Sequence, residues 1–202
     1  MSEKKKMSRL QRKNRTTILA SALDVFSSNG FRGATLDQIA NAAGMSKPNL
    51  IYYFASKEAI FITLLNRHMD EWLAPLRAIE PAGDPLEQIL MYVRRKVQMS
   101  RDMPRESRLF ANEIVQGAPR MKEHLSQDLK VLFDEKCRLL GEWMDQGRLA
   151  KLDTQHLIYS IWATTQHYAD FEAQIDVLSG PGTIDGAEAF LDNLYRRLLT
   201  PD

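Results

Sequence analysis

Between Thr35 and Phe54 the chain reads TLDQIANAAGMSKPNLIYYF, two short helical patterns separated by one glycine. The second is too short to serve as a core helix, so something other than core formation has to account for it. Leu36, Ile39, Ala40 and Ala43 fall on one face of the first helix, and the small Ala40 and Ala43 let two backbones cross closely. Thr35 and Gln38 have the spacing of a capping box. Gly44 can take the positive φ of the turn. Ser46 caps the second helix, where Pro48 is tolerated because first-turn N–H groups have no partner inside the helix. Leu50 and Phe54 point inward, which leaves Lys47, Pro48, Asn49, Ile51, Tyr52 and Tyr53 for the outer side. This is the pattern of a helix-turn-helix. A short helix that offers polar residues from its first turn is what major-groove reading needs, and its positive end suits phosphate.

Helical periodicity continues through the rest of the chain. TTILASALDVFSSNG is a first helix that Gly30 should stop, and Ser56 caps a fourth helix carrying Ile60, Leu64, Leu65 and Trp72 that Pro75 should interrupt. After the loop IEPAGDP, helices follow over about 86–100, in SRLFANEIVQ, over about 126–146, in QHLIYSIWATTQHYADFEAQI from a cap at Asp153 or Thr154, and over about 187–199. No stretch alternates as a strand does, and there is no internal repeat. The expectation is an all-α protein: an N-terminal three-helix helix-turn-helix domain over residues 1–55, and a helical effector-binding and dimerisation domain over 56–202.

Composition narrows the function. With 202 residues, 44% hydrophobic and 26% charged, the chain can bury a core without metal or disulfide support. Its lone Cys137 cannot form an internal disulfide, which suits a reducing compartment. No apolar run is long enough for a membrane span and no signal segment follows the basic N-terminus, so the expected location is the cytoplasm. The net charge of +1 hides an asymmetry: residues 1–60 hold ten Lys/Arg against four Asp/Glu, and the remainder 17 against 22. A basic N-terminal third suggests an anionic partner, with Lys4, Lys5, Lys6, Arg9, Arg12, Lys13 and Arg15 following phosphates or entering a minor groove. A solvated tail is the other reading. His68, His124, His156, His167 and Cys137 have no metal-ligand spacing. No serine elbow or glycine-rich phosphate loop accompanies them. Neither catalytic nor metal residues are assigned, no cofactor is implied, and the chain does not read as an enzyme.

The segment GFRGATLDQIANAAGMSKPNLIYYFASKEAI resembles the DNA-binding domain of the TetR family of bacterial repressors. The resemblance rests on Gly30, Phe31, Thr35, Ile39, Ala40, Ala43, Gly44, Ser46, Leu50, Tyr52, Phe54, Lys57 and Glu58. It implies an all-α homodimer whose C-terminal domain binds a small effector and releases DNA. WLAPL (72–76), SRLFANEIVQGAP (107–119) and IWATTQHYADF (161–171) are similar to the RutR branch, the pyrimidine-sensing regulators of uracil use.

Roles follow from chemistry. Asn49 suits a bidentate pair with adenine and Lys47 can reach guanine or phosphate. Pro48 shares their outer face, and Thr35, Ser46, Tyr52, Tyr53 and Lys57 are phosphate candidates. The resemblance favours Tyr53 over Tyr52 for that contact. For the effector, Trp162 and Gln166 are four residues apart and share a helix face. An amide complements the acceptor–donor–acceptor edge of uracil. Trp72, on the helix leading out of the DNA-binding domain, completes the set. The competing reading puts all three in the core with satisfied polar tips. Phe110, Asn112, Tyr168 and Phe171 are weaker candidates, as are Arg94 and Arg95 for an anionic effector. The expected partners are double-stranded DNA, a small effector such as uracil and a second copy of the chain, which would join through the last two helices around Leu191 and Leu194. A regulator sensing another small molecule, or a ligand-binding or interaction protein without DNA activity, are the alternatives.

Overall fold

The computed structural model describes residues 8–201, so Lys4, Lys5 and Lys6 of the expected basic arm lie outside the described residues. Among the described residues there is no strand; the elements are helices joined by short turns. By its contacts the chain divides into two compact units, one ending at Arg67 and the other starting at His68.

The first unit begins with α1 (Arg9–Gly33), which Ser8 and Gln11 open with a capping box. The helix starts a full two turns before the apolar stripe, because Arg, Lys and Gln are good helix formers even where nothing buries them. Gly30, expected to stop the helix, sits at φ +65 and kinks it; one further turn follows before Ala34. α2 (Leu36–Ala42) and α3 (Lys47–Tyr53) are the two short helices. α4 (Lys57–Arg77) starts at Ser56, whose hydroxyl accepts from the N–H of Ala59 at 3.0 Å. The unit boundary falls inside α4 rather than at 55/56. Its first turns belong to the N-terminal core: Ile60, Phe61 and Leu64 are buried, and the Phe61 ring meets Phe26 and Phe31 at 5.0 and 4.8 Å. Pro75 does not end α4, which runs on to Arg77. The proline has no N–H to give the Glu71 carbonyl and its ring crowds the turn before it, a local cost that α4 carries for the two residues left to it.

In the second unit α5 (Pro85–Asp102) packs against α9 (Thr154–Asp170) and α11 (Ala187–Leu199). Ile89, Leu90, Val93 and Val97 of α5 meet a core that includes Leu157, Ile158 and Ile161 of α9 and Leu191, Tyr195 and Leu199 of α11. Asp84 and Asp153 cap α5 and α9, accepting from Glu87 N and His156 N, each at 2.9 Å. Buried hydroxyls are satisfied within this core: Ser100 donates to the Thr165 carbonyl at 2.9 Å, and Thr164 and Tyr195 share a hydrogen bond at 2.9 Å. α6 (Pro104–Val115) packs on α9. The expected helix over 126–146 is the end of a longer run: one turn (α7, Lys122–His124), a π-helical turn (Leu125–Leu129) and then α8 (Lys130–Asp145). The expected single helix through Ile175 is broken at Phe171, after which α10 (Glu172–Ser179) starts afresh. The loop before α11 contains a 3-10 turn over Thr183–Gly186.

Candidate functional site

In the first unit the turn between α2 and α3 is held from both ends. Thr35 accepts from Gln38 N at 3.2 Å while the Gln38 side chain accepts from Thr35 N at 2.8 Å. Gly44 takes φ +66, and Ser46 accepts from Asn49 N at 3.4 Å. Leu50 and Phe54 are buried and pin α3 by its inner face. Lys47, Pro48, Asn49, Ile51 and Tyr52 of α3 are exposed and Tyr53 is half-buried. The Lys47 ammonium is paired with Asp37 of α2 at 2.9 Å, an exposed bridge that water and salt weaken.

Both tyrosines are placed by α1. Asn14 donates to the Tyr53 hydroxyl at 2.7 Å, and Gln11 donates to the Tyr52 hydroxyl at 3.1 Å. A phenol that accepts a hydrogen bond keeps its own proton to donate outward. Tyr53 is half-buried and Tyr52 open to solvent. Arg15 is spent on structure: its guanidinium donates to the Tyr53 carbonyl at 2.8 Å and lies 4.1 Å from the Phe54 ring centroid. Lys57 is also spent. Its ammonium donates to the carbonyls of Phe31 and Ala34, each at 2.7 Å, and lies 4.6 Å from the Phe31 ring centroid. It satisfies carbonyls at the end of α1, so its geometry supports a structural anchor rather than the phosphate contact read from the sequence.

In the second unit Trp72, Trp162 and Gln166 line one cavity of about 70 Å³, together with Met69, Leu73, Lys96, Phe110 and Leu129. Trp72 comes from α4, Lys96 from α5, Phe110 from α6 and Leu129 from the π-helical turn. Such turns recur at functional sites, where they re-aim side chains. The Trp72 and Phe110 rings meet edge to face at 5.1 Å. The Trp162 indole N–H donates to the Tyr92 hydroxyl at 2.7 Å, so Trp162 is held by its edge. Burial pushes the Tyr92 phenol well above its usual range and keeps it neutral. Among the described residues, neither the Gln166 amide nor the Lys96 ammonium makes a hydrogen bond. The cavity therefore has aromatic walls and two uncommitted polar groups. It is smaller than most ligand sites, so a ring enters only as its side chains give way.

The weaker candidates separate. Phe110 lines the cavity, but Asn112 and Phe171 are exposed, and Tyr168 lines a different pocket with Ile184 and Pro104. Arg94 is tied to Asp192 and Glu87, and Arg95 is exposed. Lys96, the next residue, is not among the sequence candidates, yet it lines the cavity. Its spacing was legible: it lies three residues after Val93 and seven after Ile89, on the buried stripe of α5.

A chain with a capped helix-turn-helix and an all-helical unit enclosing a ring-walled cavity falls in the class of helix-turn-helix transcriptional regulators. Residues 18–64 match the family of bacterial regulatory proteins, tetR family, and residues 65–201 match the C-terminal region of YcdC-like protein. The chain belongs to the TetR family, whose members are transcriptional regulators and not enzymes. It is 50% identical over 175 residues to the HTH-type transcriptional regulator RutR of Escherichia coli K12, covering 87% of this chain and 82% of RutR. The fold is similar to that of the ketosteroid transcriptional regulator KstR2 of Mycobacterium tuberculosis, with TM-score 0.75 at 21% identity over 93% of this chain and 95% of that one. It is also similar to a tetR-family regulatory protein from Rhodococcus RHA1, with TM-score 0.77 at 16% identity over 94% and 98% of the two chains.

Proposed function

We propose that this DNA-binding regulator is a homodimeric repressor that leaves a palindromic operator when a pyrimidine, uracil being the leading case, occupies the cavity lined by Trp72, Trp162 and Gln166. The observation that carries the reading is the convergence of those three side chains on one cavity in which the Gln166 amide has no partner among the described residues. The amide can accept from the ring N3–H while donating to a flanking carbonyl, and the aromatic walls suit a planar ring. The resemblance to the RutR branch, with 50% identity to RutR, supports the same choice. Asn49 reads a base edge in the major groove; Thr35, Ser46, Tyr52 and Tyr53 position the helix on phosphates; Lys47 reaches either once its bridge to Asp37 opens.

The route to DNA is α4, which carries Trp72 in the second unit and Phe61 in the first. A ring bound against Trp72 favours one position of that helix. The effector weakens DNA binding only to the extent that it prefers the DNA-free state. Anisotropy of a labelled operator fragment, titrated with protein and then with uracil, tests the reading. Release at uracil concentrations that leave non-specific binding unchanged is expected. Operator binding that ignores uracil but responds to another small molecule moves the assignment to that molecule, and no duplex binding at any salt leaves a ligand-binding protein.

A further inference from the structure

We propose that Lys96 selects the effector: its ammonium takes an oxygen acceptor of the bound ring, so the cavity admits planar ligands that turn a carbonyl or acidic oxygen toward α5 and excludes those offering only donors there. The proposal rests on the effector lying in the Trp72–Gln166 cavity.

Lys96 is 5% exposed and lies on the inward face of α5, where it lines the cavity. The other buried lysine shows what a structural ammonium looks like in this fold. Lys136, also 5% exposed, donates to the Ile79 carbonyl and to Glu135, each at 2.9 Å. Lys96 has no such partners among the described residues; what it faces is the Trp72 ring, with Nζ 5.9 Å from the centroid. A buried charge without hydrogen bonds is costly, and a fold normally removes the charge or supplies a partner. Here the space next to the ammonium is open, and the second uncommitted polar group, the Gln166 amide, lines the same space. An amide and an ammonium on one small cavity divide the work: Gln166 matches a donor–acceptor edge, and Lys96 takes a further oxygen.

The charged surroundings agree. From α9, Asp170 is the carboxylate that acts on Lys96, but it is already held by the Ser107 hydroxyl of α6 at 2.6 Å. His167 of α9 and Arg108 of α6 also act on Asp170, and Arg108 turns to Glu172 and the Ala169 carbonyl. From α4, the His68 ring lies 6.2 Å from that of Trp72. Burial lowers the Lys96 pKa to about 8, with Asp170 opposing the shift. A ligand oxygen that accepts from the ammonium favours the charged form and raises that pKa again. Binding near pH 8 therefore takes up protons, and affinity falls as pH rises through the free-protein pKa.

The test is calorimetric titration of the full chain with uracil, thymine, orotate and benzoate at pH 7 and 8, in buffers of different ionisation heat. Wild type should take up protons on binding, and more of them at pH 8 than at pH 7, because burial lowers the Lys96 pKa and a bound oxygen raises it again. Lys96→Met should abolish the uptake and weaken binding about tenfold or more, without lowering the ligand-free melting temperature. Lys96→Gln, which keeps a donor, should recover part of the affinity but none of the uptake. Uracil binding with no proton uptake, and equally well to Lys96→Met, overturns the proposal and leaves the effector reading standing. Binding of orotate or benzoate but not uracil, lost in Lys96→Met, upholds Lys96 and removes uracil. If none of the four binds wild type, both fall.

Discussion

At the scale of single residues, the same side-chain type does opposite jobs according to what surrounds it. Lys47 is exposed and bridged only to a surface carboxylate, so it can exchange that partner for DNA at little cost. Lys57, ten residues on, is held by two carbonyls and a ring. Lys57→Met should therefore lower the stability of the protein by about 1.5–3 kcal/mol, the worth of hydrogen bonds to a charged group. It should leave the salt slope of DNA binding unchanged; a slope shallower by about one at wild-type stability, measured by denaturant unfolding and anisotropy, would make Lys57 a phosphate contact instead. Asn49→Ala removes an exposed side chain on which nothing in the fold depends. It should cost about 1–3 kcal/mol at the operator and relax base preference at one position. An unchanged ratio of specific to non-specific affinity takes Asn49 out of base reading. Gln166→Leu keeps the volume but removes the amide. It should weaken uracil by about 1–3 kcal/mol while operator affinity without effector stays at wild type; equal calorimetric affinities would mean the ligand lies elsewhere.

At the scale of elements, local chemistry was legible wherever a cap or a turn decided the outcome. Thr35 with Gln38, Ser46 and Ser56 all cap where their side chains said they would, and Asp153 takes the cap that the sequence leaves between it and Thr154, because an N-cap needs only residues within one turn of it. What was not legible depended on packing at a distance. Pro75 reads as a stop, yet α4 continues past it. The break at Phe171 carries no glycine or proline to announce it, and the π-helical turn before α8 has no sequence signature at all. In the cavity, Trp162 and Gln166 are marked by ring and amide chemistry four residues apart, and Trp72 by its place on the helix leading out of the first unit. Lys96 was passed over because a lysine reads as solvated unless the helix phase is followed through it. The turn gives an element-scale test. Gly44 has φ +66 and nothing within 4 Å of where a Cβ would stand, so substitution there meets backbone strain without a clash. Gly44→Val should cost about 1–2 kcal/mol and Gly44→Asn less, since Asn tolerates this region. Thermal unfolding ranks the two, and equal melting temperatures would mean the turn relaxes to another conformation.

At the scale of the whole molecule, the surface left uncovered on α11 is what a second copy would need. Phe190, Leu194 and Leu198 are 62%, 40% and 41% exposed and recur every four residues, forming an apolar stripe along one side of the helix. A monomer seldom leaves such a stripe to water, and a two-fold dimer covers it with the same patch from its partner. The choice of residue matters. Leu191, which the sequence offered as an interface position alongside Leu194, is 1% exposed within its own chain, on the side of α11 that packs against α5. Leu191→Arg would bury an unpaired charge in the core and unfold the second unit, a result that says nothing about assembly. Leu194→Arg, or the double change Phe190→Glu with Leu198→Glu, places charge on the exposed stripe and leaves that core intact. Sedimentation at micromolar concentration should show a dimer for wild type and a monomer for these variants, with helical circular dichroism unchanged. The monomers should bind an isolated half-site about as wild type does at equal subunit concentration, but lose most of their advantage on the full palindrome, because linking two half-sites raises affinity only while the two subunits stay joined. A Leu194→Arg protein that stays dimeric would move the interface off this stripe. A wild-type protein that sediments as a monomer would remove the paired recognition helices on which palindromic binding depends.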